Sequence, residues 1–150
     1  MTVVIVIINA TNNDELEIVS VSNINDGIVL EDLKEISNLN SNEKFIILNI
    51  WASWCIPCQN EVSELKILSE NKEYYVIGIL VEDSKENGKE FIIKNEISYQ
   101  NILDNTVAES ILIQFIWSGI PTTLVLDNNF KIISTINGEI TANEIFELTR

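Results

Sequence analysis

The residues most able to do chemistry are Cys55 and Cys58, the only two cysteines in a chain of 150 residues. They stand in the segment Trp54-Cys55-Ile56-Pro57-Cys58, so both lie in one C-x-x-C and have no other thiol to pair with. A disulfide framework and a four-cysteine zinc site within one chain are therefore excluded. The chain has no His, which removes mechanisms that need an imidazole base and metal sites that need an imidazole ligand. Beside plain packing of two small hydrophobes, two chemistries remain: soft-metal binding by the thiolates, copper above all, and thiol-disulfide exchange.

Exchange needs a thiolate on one sulfur and a second sulfur able to displace it. A helix N-terminus offers unpaired N–H groups and a positive dipole end that favour the anion. Cys55 is placed to attack, and Cys58, about one turn deeper, to resolve the mixed disulfide and release the reduced substrate. The spacer residues Ile56 and Pro57 carry no charge, so the pair is expected nearer a reductant than a strong oxidase. A peroxidase is disfavoured because no Arg or His stands near Cys55 in sequence to activate peroxide. Trp54 is expected on a substrate-facing rim and Trp51 in the core. Glu61 has Leu65 and Leu68 at i+4 and i+7, which puts its carboxyl on the inward side of the same helix.

These residues need a strand that delivers the motif and a helix that starts on it. Phe45 to Trp51 is a nearly continuous apolar run, the pattern of a central strand buried on both faces. Beyond Cys58, Val62, Leu65 and Leu68 recur at helical spacing. The motif thus sits at a strand-to-helix junction, which a merely packed cysteine pair does not require. Tyr74 to Val81 reads as a second buried strand, Ser84 to Ile97 as a helix, Asn101 to Leu103 as a short strand and Thr106 to Phe115 as a helix. Thr122 to Leu126 and Lys131 to Ile136 flank the hairpin signal Asp127-Asn128-Asn129, and a last helix starts at Thr141.

Upstream, Val3 to Ile8 reads as a strand or as the remnant of a preceding segment. Leu16, Ile18 and Val21, with Ile28 to Leu30, read as two short strands around the turn Asn25-Asp26-Gly27, followed by a short helix from Glu31 to Leu39. The expected fold class is α/β, with a mixed central sheet, helices on both faces and a βαβ unit followed by ββα. One domain over residues 1–150 is expected, with residues 1–25 an N-terminal β extension.

Hydrophobic residues make up 46% of the chain and charged residues 21%, which supports a packed core. Nine basic against 23 acidic residues give a net charge of −14, which repels phosphate backbones and argues against nucleic acid as a partner. No run approaches the roughly 20 apolar residues of a spanning helix, and Val3 to Ile8 lacks the basic flank and the length of a signal peptide.

Leu48-Asn49-Ile50-Trp51-Ala52-Ser53-Trp54-Cys55-Ile56-Pro57-Cys58 resembles the active-site segment of thioredoxin-like proteins, most of all the TlpA/ResA group of thiol-disulfide oxidoreductases. Far downstream, Gly119-Ile120-Pro121-Thr122-Thr123 matches the loop in which that family carries a cis-proline facing the cysteines. The resemblance runs roughly from Asp26 to Glu147 and implies a thioredoxin fold. It implies Cys55, Cys58 and Glu61 as catalytic residues, Glu61 relaying the Cys58 proton. It implies a substrate-binding surface of Trp54, Ile56, Pro57, Ile120 and Pro121, where a cis bond turns the backbone so that Ile120 can pair with an extended substrate strand. Asn49 departs from thioredoxin proper, which has an acid on this strand. Asn is usual in the TlpA-like group, so the proton task moves to Glu61.

No cofactor and no metal are implied. The implied partners are a protein disulfide as substrate and a thiol electron donor, membrane-embedded in one version, with the protein itself a monomer. The implied setting is extracytoplasmic, in a periplasm or on the outer face of a membrane, anchored at full length, with cytochrome c maturation as one use. The rival readings are a cytosolic thioredoxin-like reductant, a disulfide oxidase or isomerase, and a dithiol copper-binding module.

Overall fold

Buried β-branched and aliphatic runs build one sheet, which the computed structural model describes over residues 4–5, 20–39 and 42–150. In chain order the elements are β1 (Val4–Ile5), β2 (Ser20–Ser22), α1 (Glu31–Ile36), β3 (Phe45–Trp51), α2 (Ile56–Asn60) and α3 (Val62–Glu70). There follow β4 (Tyr74–Leu80), α4 (Lys85–Lys94), β5 (Gln100–Ile102), α5 (Asn105–Leu112), β6 (Thr122–Asp127), β7 (Ile132–Asn137) and α6 (Ala142–Leu148). The strand order is β1-β2-β7-β6-β3-β4-β5. β3 runs parallel to β4 and antiparallel to β6, and β4 runs parallel to β5. The sheet is therefore mixed, and β1 and β2 add the N-terminal extension through an antiparallel pairing with β7.

The two-residue period of β3 divides its side chains between two cores. Ile46, Leu48 and Ile50 pack with Leu33 of α1 and Ala108 and Ile111 of α5. Ile47 packs with Leu65 and Leu68 of α3 and with Ala142 and Ile145 of α6. Helices thus lie on both faces, and the central strand is buried from Ile46 to Trp51. Ser84 caps α4, Asp104 caps α5, and Thr141 with Glu144 forms a reciprocal capping box on α6.

Several local readings change, and two helices end three residues short of expectation, α1 at Ile36 and not Leu39, α4 at Lys94 and not Ile97. Ile28 to Leu30 is no strand: Val29 makes an isolated bridge to Lys131 and is 41% exposed. Gly27 takes a positive φ of 88° and the Asn25 carbonyl accepts from the Ile28 N–H at 3.2 Å, so the expected turn is present but joins no hairpin, and the Asn25 side chain works elsewhere. Its amide is fully buried and donates to the Ile116 carbonyl at 2.7 Å and to Thr135 Oγ1 at 3.2 Å, while Ile116 N–H donates back to Asn25 Oδ1 at 2.8 Å. The helix expected to reach Phe115 stops at Leu112, and Phe115 turns into the core. Val3 and Val6 to Ile8, with Leu16 and Ile18, lie outside the described residues.

Gly78 in β4 lies between Asn49 of β3 and Asn101 of β5. Above it the Trp51 indole N–H donates to Asn101 Oδ1 at 3.0 Å, and the Trp51 ring packs on Phe91 of α4 with centroids 5.1 Å apart. A Cβ on Gly78 would stand 1.9 Å from Asn101 Oδ1 and 2.8 Å from Trp51 Nε1, so any side chain there breaks this bridge. Gly78→Ala is expected to destabilise the fold by about 2 kcal/mol through overpacking and the lost hydrogen bond. Urea denaturation followed by tryptophan fluorescence measures it, and a loss under roughly 0.5 kcal/mol would contradict the packing described.

Candidate active site

β3 delivers the motif to the edge of the core, and the chain then turns through Ala52, whose carbonyl accepts from Cys55 N–H at 3.3 Å. The turn is held on the loop after β4. Asp83 Oδ2 accepts from the Ser53 N–H at 2.8 Å and from the Ser53 hydroxyl at 2.5 Å, and the Trp54 indole N–H donates to the Glu82 carbonyl at 3.0 Å. Glu82 has a φ of +51°, an uncommon conformation for a residue with a side chain. Burial disfavours charge on Asp83, but donation from Ser53, Asn87 and Ser84 outweighs it and holds this carboxyl below its ordinary value.

Cys55 is the N-cap of α2, and its Sγ accepts from the Cys58 N–H at 3.2 Å. Sulfur here takes the place of the oxygen that usually satisfies a first-turn N–H. Pro57 sits in the first turn, where its lack of an N–H costs nothing. The two sulfurs form a disulfide of 2.13 Å, with Cα atoms 5.2 Å apart. The residues are shielded almost equally, Cys55 at 4% and Cys58 at 3% exposure, so position on the helix, more than depth, distinguishes them.

Around the pair, Trp51, Ala52 and Leu80 form a small buried cluster against which Ile120 packs. The Ile120–Pro121 bond is cis, and Pro121 is buried. Trp54 and Ile56 are 56% and 62% exposed, and Pro57 is exposed as well. The fold thus brings Cys55, Cys58 and Ile120 together and leaves Trp54, Ile56 and Pro57 as an apolar border.

Glu61 is 1% exposed and lies where α2 gives way to α3, with φ −87° and ψ −2°. Its Oε1 accepts from Asn49 Nδ2 at 2.7 Å, and its Oε2 accepts from the Ile140 N–H at 3.0 Å. Burial raises its pKa to about 7 against the opposing pull of those two donors, and the charge of Glu139 adds to the rise. Tyr99 faces the same group: burial first, then the charge of Glu61, raises its phenol. Asn49 also donates to Thr123 Oγ1 at 3.1 Å. The loop before α6 is tied down further by Asn60 Nδ2 on Glu139 Oε1 at 2.9 Å and by the Ala142 N–H on Glu64 Oε2 at 2.8 Å. A carboxyl titrating near neutrality can both take and return a proton where thiols exchange.

Several contributors escape sequence reasoning. Ile140 acts through its backbone N–H, which no residue type announces, and Asp83 lies outside every element and motif that the sequence singles out. Asn49 carried a signal, a polar residue inside an apolar run, but its two acceptors come from distant segments. Among the described residues no group of three or more Cys, Asp or Glu is placed to hold a metal ion.

The raised Glu61 has a consequence for stability. Its folded pKa lies above its unfolded value, so the folded state binds this proton more tightly. The stabilisation is complete below the model-peptide value of 4.5 and is lost as pH rises to about 7, flat beyond; its size is on the order of 3 kcal/mol. Glu61→Gln should remove that slope from the oxidised protein. Urea melts between these pH limits compare the two proteins, and parallel curves would show that Glu61 does not titrate there.

Residues 12–135 match the AhpC/TSA family. The chain is 26% identical over 105 residues to the thiol-disulfide oxidoreductase ResA of Geobacillus thermodenitrificans (strain NG80-2), covering 68% of this chain and 59% of that protein. It thus spans less than two thirds of the length of this relative. Among solved structures, a secreted thiol-disulfide isomerase from Corynebacterium glutamicum is 30% identical, with a TM-score of 0.61, covering 70% of this chain and 68% of that one. StoA from Bacillus subtilis, at 24% identity and a TM-score of 0.60, covers 77% of this chain and 88% of that one and shares the fold. With the family match extending over most of the chain and the cysteine pair seated where β3 meets α2, the protein belongs to the AhpC/TSA family of the thioredoxin-like superfamily, with ResA-type thiol-disulfide oxidoreductases among its relatives.

Proposed function

We propose that this chain reduces protein disulfides by dithiol exchange. The Cys55 thiolate attacks one sulfur of the substrate disulfide, forming a mixed disulfide and expelling the other sulfur as a thiolate that takes up a proton. Cys58, giving its proton to Glu61, then attacks Cys55 Sγ. The Cys55–Cys58 disulfide forms and the second substrate thiol leaves. Two electrons pass to the substrate, and a thiol donor must return two for the next cycle. The observation that carries the reading is Cys55 capping α2 with its sulfur on the Cys58 N–H, with a buried carboxyl, Glu61, three residues after Cys58 in the chain. That N–H favours a thiolate on Cys55 once the pair is reduced.

Trp54, Ile56, Pro57, Ile120 and Pro121 serve as the substrate surface, and the Ile120 backbone pairs with an extended substrate segment. Trp54, Ile56 and Pro57 are apolar and exposed, Ile120 is half-buried and Pro121, next in the chain, is buried, and the exposed apolar border suits a polypeptide bearing the disulfide. The setting is outside the cytoplasm, supported by likeness to a protein named as secreted. There a membrane-embedded thiol donor would recharge a monomeric, anchored protein that maintains thiols such as those of maturing cytochrome c. No helix among the described residues is long and apolar enough to cross a membrane, so the native gene and a cell fractionation test the anchor.

The potential of the pair is expected near or below about −200 mV; a value around −120 mV would make it an oxidase instead. Cys55→Ser should abolish reduction of a synthetic peptide disulfide, and Cys58→Ser should accumulate a mixed disulfide on Cys55 that mass spectrometry of cell extracts can read. Turnover surviving in Cys55→Ser rules the mechanism out. Glu61→Gln should slow resolution by roughly 10-fold to 100-fold while the protein stays folded. An unchanged rate and thiol titration would leave Glu61 a structural residue.

A further inference from the structure

Glu61 is useful as a relay only while it can hold a proton and release it, and burial alone drives it towards permanent protonation. The groups facing it are few. From β3 comes the Asn49 amide, from the loop before α6 the Ile140 N–H and the Glu139 carboxylate, and from the segment before β5 the Tyr99 phenol; Cys58 of α2 precedes Glu61 by three residues in the chain. Glu139 and burial favour the neutral acid, whereas the two N–H donors favour the carboxylate. No cation is among these groups.

The two donors differ in kind. Ile140 gives a backbone N–H that any residue but proline would supply. Asn49 gives a side chain that is itself 2% exposed, and its single nitrogen donates one hydrogen to Glu61 Oε1 and the other to Thr123 Oγ1. Both hydrogens are used, so the amide plane is pinned from two sides. Asn49 and Thr123 are register partners across β3 and β6, so the anchor is as rigid as the sheet. Apolar residues at this position would leave the carboxyl one donor short, and an acid would set two carboxyls against each other.

We infer that Asn49 is a positioning residue for thiol exchange: held by Thr123, its amide fixes the Glu61 carboxyl and keeps it able to accept and release the Cys58 proton. The inference rests on the relay role proposed for Glu61.

The direct test is carboxyl 13C NMR of the oxidised full chain, with the Glu61 signal identified by its absence in Glu61→Gln. The wild-type midpoint is expected at about 7. Asn49→Ala should raise it by at least about one unit, a tenfold gain in proton affinity. Asn49→Asp keeps the size and shape of the side chain, and a urea melt checks that it folds. It should also raise the midpoint, because two adjacent carboxyls share one proton. Thr123→Val should act in the same direction, by less. In the reduced protein, the pH profile of peptide-disulfide reduction should move with the midpoint in Asn49→Ala, and adding Asn49→Ala to Glu61→Gln should not move it further. An unmoved midpoint in both Asn49 variants overturns the inference. A midpoint that moves while the rate profile is untouched, in Asn49→Ala and in Glu61→Gln alike, overturns the relay itself and the positioning role with it.

Discussion

A carboxyl group held out of water one helical turn from a reactive disulfide must be met by donors, and much of the local architecture follows from meeting that demand. Glu61 draws one donor from the middle of β3 and one from the loop entering α6. Its backbone closes α2 and opens α3, so the residue that carries the acid is also the point where the helix is interrupted. Asn60 and Glu64 on either side grip the same loop through Glu139 and the Ala142 N–H. The helix that presents the cysteines is thereby fixed to the sheet on one side and to the C-terminal segment on the other.

The second determinant is the contrast between a shielded pair and an open border. Cys55 and Cys58 lie within a cluster that includes Trp51, Leu80 and Ile120, while Trp54 and Ile56 face solvent. The Trp54 ring is not loose: its N–H is spent on the Glu82 carbonyl. An aromatic whose polar atom is already satisfied presents mainly apolar surface, which favours a partner able to bury it.

Much of this was legible in the sequence because residue type and period carry it directly. A seven-residue run, apolar but for Asn49, reads as β3, and Glu61 in step with Leu65 and Leu68 reads as inward-facing, as its burial shows. The interruption at Glu61 was not legible, since the apolar spacing continues through it undisturbed. Nor was the use of Asn25, because an Asn before Asp-Gly has the composition of a turn whether or not its amide is needed elsewhere. Val29 misled for the opposite reason: β-propensity is a fit to a half-buried pleated surface, and this valine has one bridging neighbour and little cover. What sequence could not supply in each case was the identity of a partner brought in from far along the chain.

Asn25 also bears on the order in which the molecule comes together. Its amide and the backbone of Ile116 are 91 residues apart, and contacts of such separation are made slowly compared with those inside one strand–helix unit. β3, α2 and α3 occupy the middle of that interval, so on a ribosome the cysteine pair is made well before the loop leading to Pro121 has been synthesised, let alone fastened. The nascent chain therefore carries its thiols for a time without Ile120, which packs against their cluster in the folded protein.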